Sequence, residues 1–146
     1  MIIQIDTREK SRAIKGIIAE FERQKIEHVS SKMYVGDYCL MENPLVIIDR
    51  KQNLSELAQN ATVGHERFKK ELQRLDKING KMYILVQQPF QRLEDIIMQE
   101  LPYSKYPCDC LYKVLHSWRA KHNIEYVFCD KRNTGKKIIE LLKRGE

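Results

Sequence analysis

The segment Pro44-Leu45-Val46-Ile47-Ile48-Asp49-Arg50-Lys51 constrains the fold more than any other part of the chain. Its β-branched apolar run reads as a strand, and three charged residues end it abruptly. A Gly36-Asp37-Tyr38 turn precedes it, and eleven residues separate Asp37 from Asp49. A strand that closes in Asp-x-Lys after such a turn brings two carboxylates and an ammonium to one edge of a sheet.

That constellation has a chemical use. Phosphodiester hydrolysis calls for hard oxygen ligands that hold Mg2+ or Mn2+ and so neutralise charge on the scissile phosphate. Asp37 and Asp49 supply such ligands. Lys51, two residues beyond the second acid, points to the same strand face, where an ammonium orients attacking water or stabilises the transition state. The residues also allow a plainer reading, because Gly-Asp is a common turn dipeptide and a charged cluster often marks the solvated end of a strand.

Along the rest of the chain, strand and helix patterns alternate. Strands are expected at Ile2 to Asp6, His28 to Met33, Tyr38 to Met41, Leu45 to Arg50, Met82 to Val86 and Glu125 to Cys129. Ala13, Ile14, Ile17, Ile18 and Phe21 recur at helical spacing. Asn53 followed by Glu56 resembles a cap opening a helix through Gln59, and Asn60 to His65 reads as a mobile connection to a basic helix over Glu66 to Ile78. Further helices are expected at Leu93 to Glu100, at Leu111 to Lys121 and around Ile138 to Leu142.

Ile5-Asp6-Thr7-Arg8-Glu9, Val35-Gly36-Asp37-Tyr38 and Ile48-Asp49-Arg50-Lys51 together resemble the nuclease domain of the XPF-type structure-specific endonucleases. Gly64-His65-Glu66-Arg67-Phe68 is similar to that family's Gly-Arg-aromatic segment. The chain departs from the family pattern in carrying Asp49 where Glu is usual, and Ser55 beside Glu56 where an acid follows the lysine. The resemblance implies an α/β domain, a three-layer α/β/α arrangement with a mixed central sheet and a restriction-endonuclease-like core. It also implies a divalent-metal-dependent DNA endonuclease acting on branched or irregular DNA, with Mg2+ or Mn2+ as cofactor.

Under that resemblance Asp37 and Asp49 bind metal, with the backbone carbonyl of Arg50 as a further ligand. Lys51 assists the nucleophile or transition state, and the Arg50 side chain organises the site or a phosphate. Asp6 approaches the metal from the neighbouring strand and Arg8 contacts phosphate, although Asp6-x-x-Glu9 also resembles a capping arrangement. Arg67 matches the family segment. With Lys69, Lys70, Arg74 and Lys77 it can neutralise phosphates, although interleaved acids also suit an ordinary salt-linked helix. Tyr38 either contacts DNA or packs beside the turn.

Twenty-six Lys and Arg against twenty Asp and Glu give a net charge of +6, which suits a polyanionic partner and equally suits simple solubility. One domain over residues 1–146 is expected, with no separate helix-hairpin-helix module apparent. That points to a homodimer, with the C-terminal half including the Ile138 to Leu142 stripe contributing to its interface, or to a DNA-targeting partner protein; such an apolar stripe is more often core packing. No apolar run reaches about 18 residues, and the start lacks a signal-peptide pattern, so an intracellular protein is expected: cytoplasmic if bacterial or phage, nuclear if eukaryotic. Cys39, Cys108, Cys110 and Cys129 then read as reduced thiols, and Cys108-x-Cys110 lacks the Cys-x-x-Cys knuckle of a zinc site. The rival readings are a Holliday-junction resolvase or restriction-like nuclease on the same core, and a noncatalytic DNA-binding or dimerisation subunit.

Overall fold

The computed structural model describes residues 1–102 and 104–145. Six strands form one sheet in the order β2-β1-β3-β4-β5-β6. They are β1 (Ile2–Ile5), β2 (Glu27–Ser30), β3 (Tyr38–Leu40), β4 (Asn43–Lys51), β5 (Lys81–Val86) and β6 (Ile124–Phe128). Strand β3 pairs antiparallel with both β1 and β4, whereas β1 with β2, β4 with β5 and β5 with β6 run parallel. The carboxyl ends of five strands and the start of β3 therefore share one edge, the usual location of sites in open α/β sheets.

Five helices cover the two faces: α1 (Lys15–Arg23), α2 (Leu54–Ala61), α3 (His65–Lys77), α4 (Cys108–Lys121) and α5 (Thr134–Arg144). Successive strand residues alternate between faces. Ile47, Met82 and Ile84 pack with Leu57, Phe68, Leu72 and Leu115 of α2, α3 and α4. Ile48, Tyr83 and Leu85 turn the other way, onto Ile17 and Phe21 of α1 and Ile138 and Leu142 of α5. The fold is the three-layer α/β/α arrangement with a mixed sheet. Among the described residues no helix is long and apolar enough to cross a membrane.

Several elements differ from the sequence expectation. Strand β2 stops at Ser30; the Ser31 N–H still donates to the Ile5 carbonyl at 2.9 Å, and beyond it Asp6 Oδ1 accepts the Met33 N–H at 2.7 Å. Asn53 does cap α2, accepting the Glu56 N–H at 2.9 Å, but the helix runs on to Ala61. The expected mobile connection shrinks to a tight turn, closed by the Gly64 N–H donating to the Gln59 carbonyl at 2.7 Å. Leu93 to Glu100 yields only a 3-10 turn over Leu93–Ile96, held by the Asp95 carboxylate accepting the Gln91 and Arg92 N–H groups. The α5 stripe is core: Ile138, Leu141 and Leu142 are fully buried within the chain, which removes it as a dimer surface. Gly135 lets α5 close on α1, since a Cβ there would lie 2.8 Å from Glu20 Cβ.

Candidate active site

A turn that only glycine fits presents the first acid. Gly36 sits at φ +77°, and a Cβ there would stand 2.1 Å from Ile47 Cγ2. Its N–H donates to Glu71 Oε1 at 2.8 Å, tying the turn to α3. The Asp37 N–H then donates to the Ile48 carbonyl at 2.8 Å, and Asp37 Oδ2 accepts the Arg50 N–H at 2.8 Å. Because Tyr38 pairs with Ile48, the next step of the antiparallel register sets Asp37 across from Asp49.

Asp37, Asp49 and Lys51 consequently share the α2/α3 face of the sheet. Asp49 is 5% exposed and Lys51 7%. Lys51 Nζ lies 3.1 Å from Asp49 Oδ2 and 5.2 Å from the centre of the Phe68 ring. The approach is an ion pair not aligned as a hydrogen bond, so the buried Asp49 Oδ2 has no hydrogen-bond partner. Burial pulls the Lys51 ammonium toward neutrality, but the Asp49, Asp37 and Glu56 carboxylates outweigh it and hold it protonated, with its pKa raised. Asp37 is half-buried with its carboxyl turned inward. Burial, the charges of Asp49 and Glu9, and a side-chain contact with Asp49 push its pKa well up against the lowering effect of the Arg50 N–H.

Arg50 points to the opposite face, where it is clamped. Glu9 receives it in a bidentate pair, Nε to Oε2 at 2.7 Å and a terminal nitrogen to Oε1 at 3.1 Å. Tyr38 Oη donates to Glu9 Oε2 at 2.6 Å, and Gln87 Oε1 accepts from Arg50 at 3.2 Å while its amide nitrogen donates to Thr134 at 2.8 Å. This cluster fixes the Arg50 backbone, whose N–H in turn holds Asp37.

Above these groups opens a cleft of about 490 Å³ lined by residues that include Arg8, Glu9, Gly64 and Arg67. Of the expected site residues, Asp37, Asp49, Arg50, Lys51, Arg8 and Arg67 converge there. Asp6 lies outside the lining, with one carboxylate oxygen on the Met33 N–H and the other on the Arg8 backbone and side chain. Tyr38, expected against DNA, is fully buried and carries Glu9 instead. Lys70 is exposed on α3, away from the cleft lining. Sequence reasoning missed Gln87 and Glu71 and left Glu9 undecided. Gln87 follows directly on β5 at the site edge, and Glu71 lies one helical turn after Arg67 on the same face of α3, so both carried a positional signal.

The cleft suits a divalent cation. Its lining holds five carboxylates, of Glu9, Asp37, Asp49, Glu56 and Glu71, against the four cations Arg8, Arg50, Lys51 and Arg67. With Asp37 held toward its protonated form the charges of the lining come close to cancelling, so the cleft by itself offers a phosphodiester little net attraction. Among the described residues no three His, Cys, Asp or Glu side chains converge as a metal cage. Mg2+ does not need one, since it is commonly held by one or two carboxylates, its own waters and substrate phosphate. The Asp49 carboxylate, whose Oδ2 is paired with the Lys51 ammonium, and an Arg50 carbonyl on the strand edge where β3 has ended are hard oxygens that could hold such an ion.

The chain is thus an α/β domain whose mixed sheet carries paired carboxylates and a lysine at its open edge. The family model of the ERCC4 domain matches residues 5–142, and the chain belongs to that family. Among solved structures, XPF from Aeropyrum pernix superposes with a TM-score of 0.71 at 19% identity, over 99% of this chain and 64% of that one. XPF from the same organism in complex with DNA gives 0.70 at 20% identity, over 98% and 64%. This chain thus spans 64% of the length of those structures, and the likeness is one of fold. A sequence search of curated proteins returned no match.

Proposed function

We propose that the chain is a divalent-metal-dependent DNA endonuclease that hydrolyses phosphodiester bonds, with branched or irregular DNA as its substrate class. The observation that carries this reading is the placement of Asp37, Asp49 and Lys51 on one strand-edge face, with Asp49 Oδ2 buried and without a hydrogen bond. Family membership and the fold shared with XPF support it.

Asp37, Asp49 and the Arg50 carbonyl would hold Mg2+ or Mn2+. When bound, the ion supplies a Lewis acid for the scissile phosphate and lowers the pKa of attacking water. Lys51, kept protonated by its carboxylate neighbours, offers positive charge where the transition state accumulates negative charge. Arg50 is saturated by Glu9 and Gln87, so its part is to hold the Asp37 turn and not to grip substrate. Arg8, half exposed, and Arg67, on the outer turn of α3, are placed to receive flanking phosphates.

Either a homodimer or a DNA-targeting partner protein would deliver the site to its substrate, and light scattering at assay concentration separates them. The activity itself is tested on labelled forks, flaps, four-way junctions and plain duplex with Mg2+, Mn2+ or chelator. Metal-dependent cleavage enriched on branched substrates is expected. Folded protein that binds these DNAs and cleaves none would favour the noncatalytic reading.

A further inference from the structure

Next to the cleft lies a second, smaller hollow of about 320 Å³, which shares Arg8 with it and is otherwise walled by residues including Lys32, Tyr34 and Arg74. Its charge is positive, because three cations face a single carboxylate, Asp6, whose oxygens are already engaged. Tyr34 is 53% exposed, an unusual state for a large aromatic among the described residues. It is nonetheless held in place: Arg74 Nε donates to the Tyr34 carbonyl at 3.2 Å, and the guanidinium stands 6.0 Å from the ring centre. Arg74 is anchored to α3 beside Glu71, a residue of the cleft wall.

Cations gathered around a half-exposed aromatic ring, one face of which Arg74 approaches, match one kind of ligand. Phosphates bind to the cations, and a nucleobase stacks on the ring, as on single-strand binding surfaces. A base inside a duplex has both faces covered by its neighbours, so the ring is useful only to an unpaired nucleotide. Arg8 makes the hollow continuous with the cleft. We propose, resting on the nuclease reading above, that Tyr34 with Lys32 and Arg74 forms a subsite for the unpaired strand that flanks the scissile phosphate. This subsite would give the chain its preference for DNA in which duplex meets single strand. Tyr34 is then a specificity-determining residue.

The test is equilibrium binding of the full chain, in Ca2+ or chelator to prevent cleavage, to a blunt duplex and to the same duplex carrying a single-stranded arm. A 2-aminopurine in the arm beside the junction reports stacking. Wild-type protein should bind the armed DNA more tightly. Tyr34→Ala should lose about 10-fold of that affinity and the fluorescence quenching of the reporter, whereas Tyr34→Phe keeps both and blunt-duplex affinity stays unchanged. Equal loss on both DNAs would overturn the inference, since it would mark a general phosphate or folding effect. So would wild-type binding that ignores the arm, a result that leaves the nuclease reading intact. Absence of any DNA binding by folded wild-type protein would instead sink the nuclease reading itself, and this subsite with it.

Discussion

An ammonium is costly to bury, and Lys51 tolerates it because carboxylates surround it and the Phe68 ring lies under it. A lysine kept only for surface charge would sit in water, so its burial beside Asp49 is better explained by chemistry at the cleft. Lys51→Ala is therefore expected to lower cleavage at saturating enzyme on the order of 100-fold, the usual scale for losing one transition-state contact. DNA affinity should change only slightly, because Arg8, Arg67 and other cations remain. Single-turnover kinetics beside equilibrium binding reads the two effects separately. A parallel fall in both would make Lys51 an ordinary phosphate contact.

The site is built by the join between elements more than by any one of them. Asp6 closes β1 by gripping the Met33 N–H and Arg8, which places it behind the cleft as a clamp. Burial alone would raise its pKa, but the Arg8 side chain and the Met33 and Arg8 N–H groups outweigh that and leave it lowered. A carboxyl whose folded pKa is depressed adds stability above its unfolded value, near pH 4, and loses it as pH falls through the lower folded value. Asp6→Ala should consequently cost about 1–3 kcal/mol at pH 7, and urea melts of variant and wild type should converge as pH drops below about 4. A gap that persists unchanged at low pH would show that the clamp owes nothing to charge. The strand ending in Asp-Arg-Lys and its facing Gly-Asp turn were legible in the sequence, since period-two alternation alone puts Asp49 and Lys51 on one face. Gln87 and Glu71 were not singled out, because their roles depend on parallel pairing and helix packing between segments far apart in the chain. Leu93 to Glu100 had an apolar pattern close to helical, yet only Leu93–Ile96 forms a turn, which Asp95 caps at its start.

At the scale of the molecule, two apolar layers hold the sheet and leave the edge that carries Asp37, Asp49 and Lys51 open. The closing helix belongs to those layers, the commoner reading of such a stripe, and not to the interface that the sequence also allowed. Leu142→Ala should accordingly destabilise the chain by about 2–5 kcal/mol. The loss should be independent of protein concentration, whereas an interface residue would give a melting temperature that rises with concentration. The central claim is that Asp37 and Asp49 bind the ion that makes this edge a nuclease. Its most direct test is single-turnover cleavage of labelled forked DNA by wild type, Asp37→Asn and Asp49→Asn across a Mn2+ titration, with circular dichroism confirming the fold. Metal-dependent cleavage by the wild type is expected, with both variants slowed on the order of 100-fold or more and the rate not restored at high Mn2+. Wild-type rates from both folded variants at the same metal concentration would contradict it.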